Sequence, residues 1–174
     1  MQGFLKTNLI TGLKTLPDQK IMLSIMIFCL FAALALSIGF ASKILEFKLL
    51  DTNLIYILPF VLFVFPSMFE EILFRGLLIP NDTYLTRTSV VFKRSVISAT
   101  LFTLWHPLNA LTINVGAQHF FLDPWFLLIV FILGMSCSLG YIFSRSLWVP
   151  IIMHWFTVLV WVLFLGGRNL VLQT

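Results

Sequence analysis

Charge is what this 174-residue chain has least of: charged side chains make up only 10% of it, and Asp and Glu together number 7. A soluble domain carries about 25% charged residues. With 60% hydrophobic residues, there is too little polar side chain to clothe a water-soluble globule. Cysteine is scarce too. Cys29 and Cys137 fall inside apolar runs without C-x-x-C spacing, so they read as buried thiols and give no redox motif. The chain has no phosphate-binding loop, no internal repeat and no nucleic-acid module. It also lacks the strand-like alternation that a membrane β-barrel requires. These absences leave an integral membrane protein, short enough to be one domain.

Long uncharged runs are what the chain has instead. They cover residues 21–42, 52–69, 95–122, 124–144 and 146–167. A spanning helix needs about 20 mostly apolar residues, so each run can cross a bilayer once. The second run is expected to continue through Glu70, Glu71 and Arg75 to Leu78 and to stop at Pro80-Asn81-Asp82. The third is expected to hold a helix up to His106 and then a loop over 107–123. That loop carries Asn109, Thr112, Asn114, Gly116, Gln118 and His119, too polar to face lipid. The expected fold class is all-α, a polytopic bundle of about five spanning helices.

Before the first span, Leu5, Leu9, Leu13 and Leu16 recur at helical spacing with Lys6 and Lys14 off their face. This predicts an amphipathic interfacial helix over residues 1–20, ended by Pro17, ahead of a single transmembrane domain over 21–174. The first span exceeds a signal peptide's apolar core and no A-x-A-like site follows it, so it is read as retained. An N-terminus in the cytoplasm puts Lys6, Lys14, Lys20, Arg87, Lys93, Arg94 and Arg145 inside, against Lys43, Lys48 and Arg168 outside. The positive-inside rule favours that orientation. The basic cluster 87–94 then answers to topology and anionic lipid, with no nucleic-acid partner.

Polar groups inside the spans carry the functional signal, because lipid makes them expensive. Glu70, Glu71 and Arg75 together cost on the order of 8–10 kcal/mol to insert unless paired or facing a wet cavity. Glu71 and Arg75 are i, i+4 partners about 40° apart around the helix axis, while Glu70 lies about 140° from Arg75. One carboxylate is therefore neutralised locally and the other points elsewhere. Pro66, one turn before Glu70, kinks the helix there and suggests a cavity beside an unpaired carboxylate, the setting of a general base. His106 and His154 lie in other spans at comparable depth and could meet it; His119 falls in the outer loop and has no assigned role. The plain alternative is a structural ion pair locking two helices.

The pattern Glu70-Glu71-x-x-x-Arg75, then Phe102-x-x-x-His106, then His154 after Leu147-Trp148-x-Pro150, resembles the CPBP family. These are the CAAX prenyl protease and bacteriocin-processing, or Abi, intramembrane proteases. The resemblance covers a protease-like core of about residues 55–165. It implies a helical bundle whose cavity opens towards the cytosol, where a glutamate activates water to cleave a peptide bond of a membrane-associated protein or peptide. By position Glu70 matches the base, Glu71 and Arg75 its supporting pair, and His106 and His154 the groups that hold water and oxyanion.

The last motif departs from the family's His-x-x-x-Asn, since Val158 stands four residues after His154. Losing an oxyanion donor costs roughly 10²–10³ in rate. Asn109 is a candidate replacement one turn beyond His106, although Pro107 leaves its direction open. The other reading of Val158 is a catalytically silent scaffold or immunity-type protein of the same fold. Glu70, His106 and His154 would also make a catalytic zinc set. The metal-free version, with Glu70 as base and no cofactor, needs fewer coincidences.

Overall fold

A chain this poor in charge satisfies its backbone in lipid only by hydrogen-bonding to itself, and helices do so segment by segment. The computed structural model describes residues 2–17, 21–81 and 87–167, and among them every named element is helical. Lys20, Asp82 and Arg168, and the side chains of Leu5 and Lys6, lie outside the described set. Helix α1 (Gln2–Lys14) precedes α2 (Ile21–Ala41). A broken helix follows, made of α3 (Leu58–Leu62), a π-helical turn at Phe63–Met68, the single turn α4 (Phe69–Glu71) and a second π-helical turn at Ile72–Gly76. After it come α5 (Thr88–Thr112), the short α6 (Gln118–Phe121), α7 (Pro124–Ser144) and α8 (Trp148–Phe164).

Among the described residues, α2 and α7 are long and apolar enough to cross a membrane. Helix α5 and the 115–121 turn, bent by 120°, make a third span if counted as one, and α8 is apolar but shorter, at 17 residues. Helix α7 is central and packs on α2, α5 and α8. Its Gly134 allows the close approach: a Cβ there would sit 3.1 Å from the Cα of Ala99 on α5. Asp123 starts α7 by accepting from the backbone N–H groups of Trp125 and Phe126, with Pro124 at the first helical position. Large apolar side chains cover the outside: Met26 and Leu30 on α2, Phe60 on α3 and Leu104 on α5 are all exposed. An exterior this apolar is that of an integral membrane protein. Cys137 is buried on α7, but Cys29 lies on the exposed side of α2, so only one of the two thiols is inside.

Two prolines have different outcomes. At Pro66 the helix breaks, with Phe65 leaving helical backbone (φ −139°, ψ 122°) and the Phe65–Pro66 peptide cis. The residue before a proline is pushed towards extended backbone, so the break falls there. At Pro107 helix α5 carries on to Thr112, past the end expected at His106. Two of the polar residues that suggested a loop turn inward or bond locally instead. Asn109 is buried, and Thr112 returns its hydroxyl to the Leu108 carbonyl at 2.7 Å.

Helix α1 is fastened to the far end of the broken helix. A helix leaves its last carbonyls without intrahelical donors. The Asn8 carboxamide supplies them, donating to Gly76 O at 2.7 Å and Ile79 O at 2.9 Å while accepting from the Asn81 N–H. Asn81 in turn donates to the Tyr141 hydroxyl and the Arg145 carbonyl. Leu9 and Leu13 pack on Ile79, Tyr141, Leu147 and Ile151. The Gly12 carbonyl accepts from Leu147 N at 2.9 Å, and the Leu13 carbonyl from the Trp148 indole at 2.9 Å.

Candidate active site

The single turn α4 presents Glu70 and Glu71 between two π-helical turns, and both carboxylates are buried. Arg75, one turn later, is wholly buried and donates to Glu71 Oε1 at 2.9 Å. Its other terminal nitrogen donates to the Gly134 carbonyl of α7 at 2.8 Å, and the guanidinium lies over the Phe102 ring at 4.5 Å. The cation is thus held by a carboxylate, a helix carbonyl and a ring face, each of which offsets part of its desolvation. A Cβ on Gly134 would come within 3.2 Å of Arg75 Nη2, so the glycine keeps this path clear.

His154 of α8 completes the Glu71 environment. Its Nδ1 donates to Glu71 Oε1 at 3.0 Å, and its Nε2 stands 3.9 Å from Glu70 Oε2. Glu70 receives a different donor, the Trp105 indole N–H of α5, at 3.0 Å from Oε1. Its Oε2 has no hydrogen-bond partner. His106, on the next position of α5, is half-buried and donates from Nδ1 to the Phe102 carbonyl at 2.9 Å. A carbonyl has no proton to give, so Nδ1 carries the hydrogen and Nε2 is left as the working nitrogen. The same logic commits Nδ1 of His154 to Glu71. Phe102 sits between the two imidazoles, edge-on to both, with ring centroids 5.1 Å and 5.3 Å away.

Glu70, His106 and His154 line one cavity of about 670 Å³, whereas Glu71 and Arg75 are not among its lining residues. Phe31 and Ala35 of α2 form one wall of it, Pro66 another, and Val158 of α8 a third. Asn109 is also in its wall, which shows where this side chain goes beyond Pro107. His119 is not in the wall and packs on the ring of Phe120. Among the described residues no three of His, Cys, Asp and Glu converge closely enough to hold a metal ion. As arranged, Glu70, His106 and His154 do not make such a group.

Sequence reasoning missed Trp105 as a partner of Glu70. A signal existed, since an indole N–H one residue before His106 needs an acceptor once buried. It missed Gly134 as the carbonyl partner of Arg75, and the spacing of 59 residues offered no local cue.

Fold and site define a helical membrane protein with a glutamate and histidine cavity backed by a buried ion pair. The family model for type II CAAX prenyl endopeptidases, Rce1-like, matches residues 52–160. The chain belongs to this Rce1-like family of CAAX proteases. No curated protein and no solved structure matches it.

Proposed function

We propose that the protein is an intramembrane endopeptidase in which Glu70 activates water against a peptide bond of a membrane-tethered substrate, of the CAAX type that its family acts on. The observation that carries this reading is the division of labour around the cavity. Glu70, His106 and His154 reach its wall from three separate helices, while Glu71 and Arg75 stay behind it. Water held by Glu70 and by Nε2 of His106 gives its proton to Glu70 as its oxygen adds to the carbonyl carbon. His154, protonated at Nε2, donates to the oxyanion that forms. Glu70 then passes the proton to the amide nitrogen as the C–N bond breaks, leaving a carboxylic acid and an amine, which exchange the remaining proton to become carboxylate and ammonium. Glu71 and Arg75 hold His154 in place through its Nδ1.

The same reading sets about five spans, namely α2, the broken helix 58–76, α5, α7 and α8, with the N-terminus in the cytoplasm and α1 at the interface. The test of the chemistry compares new protein N-termini in membranes of cells carrying wild type or Glu70→Gln at matched levels. Loss of a general base lowers the rate by about 10²–10⁴-fold, so Glu70-dependent N-termini are expected to vanish in the variant. Identical N-termini from two folded, inserted proteins would move the assignment to a non-catalytic scaffold.

A further inference from the structure

Asn109 is 8% exposed, and its Oδ1 is buried with no hydrogen-bond partner. No donation from its Nδ2 is made to any described residue either, and the two ends of a carboxamide are interchangeable, so the whole group is unused. The residue's backbone needs no help from the side chain, because its carbonyl already accepts from Ile113 N and Asn114 N. A buried polar group left unpaired calls for a reason. Here the reason lies in front of it: Asn109 lines the same cavity as Glu70, His106 and His154. A carboxamide offers two donors and an acceptor, the complement of a peptide group's carbonyl and N–H. Of the other polar groups in that wall, the Thr157 hydroxyl donates to the Met153 carbonyl at 2.8 Å, whereas the Trp161 indole nitrogen is also buried without a partner but can only donate. Position 158, which also reaches the wall, carries valine and can donate nothing.

We infer that Asn109 binds the peptide group of the substrate, supplying the hydrogen bonds that Val158 does not. The inference rests on the endopeptidase reading. The experiment uses the full chain in membranes and scores the Glu70-dependent N-termini for wild type, Asn109→Leu, Asn109→Ala and the double variant Asn109→Leu with Val158→Asn. Thermal unfolding of each purified protein is measured alongside.

Removal of a group that only substrate satisfies leaves Asn109→Leu at least as stable as wild type, while cleavage falls roughly 10- to 100-fold. The double variant is expected to regain at least tenfold of that loss. Wild-type cleavage in both single variants would overturn the inference, as would a lowered unfolding temperature in both, which would make the residue structural. A double variant no better than Asn109→Leu would overturn it too. Should wild type itself yield no Glu70-dependent N-termini, the endopeptidase reading fails and takes this inference with it. Because the Glu70 comparison is scored separately, the two failures are told apart.

Discussion

Glu71 accepts from Arg75 at 2.9 Å and from His154 at 3.0 Å, whereas the neighbouring Glu70 has one indole donor and a second oxygen with no partner. Two adjacent residues of one type therefore answer differently to the same substitution. Glu71→Gln leaves a buried guanidinium without its counter-charge, and breaking a buried pair costs about 3–5 kcal/mol. Thermal unfolding in detergent micelles is expected to show a large loss for Glu71→Gln and almost none for Glu70→Gln. Equal losses would show that both glutamates are structural. The spacing of Glu71 and Arg75 was enough to anticipate their pairing, because i, i+4 geometry is local. Trp105 and Gly134 were illegible for the opposite reason, since each meets its partner across helices whose rotation no local pattern encodes.

Among the elements, the helices read most easily are those that run straight. Residues 21–41 and 124–144 are apolar throughout and form α2 and α7 nearly where their charges bound them. The 58–76 segment is helical as well, but its two π-helical turns are invisible in composition, and they set where Glu70 and Glu71 point. Extra residues per turn also free carbonyls; Phe74 O accepts from the Ser98 hydroxyl at 2.7 Å, which ties this segment to α5. Helix α1 was legible as a helix with a leucine stripe. For Leu9 and Leu13 that stripe faces protein, and Asn8, to which the sequence reading gave no role, is 6% exposed. Asn8→Ala removes three hydrogen bonds and strands two carbonyls and one N–H, a loss of about 2–4 kcal/mol. Limited proteolysis should then cut α1 first, ahead of α7. Unchanged protection of α1 would mean that Leu9, Leu13 and the two backbone bonds at Gly12 and Leu13 hold it alone.

For the whole molecule, the charge asymmetry predicts an orientation that labelling can read directly. Lys48 and Lys93 are both exposed and lie at opposite ends of the bundle in the proposed topology. A membrane-impermeant maleimide added to intact cells is expected to modify Lys48→Cys, in a background lacking Cys29, and to reach Lys93→Cys only after permeabilisation. The reverse pattern would invert the protein in the bilayer. Composition alone was sufficient for the class, since a chain with 10% charge has few other ways to fold. It did not reveal that α2, most of whose surface faces outward, is also a wall of the cavity. Under the proposed function, a substrate anchored in the same bilayer would meet that wall by sliding sideways in two dimensions. Its supply would then be counted as molecules per lipid and not per litre, so every added lipid or detergent molecule would thin the substrate that α2 encounters while leaving the groups of the cavity untouched.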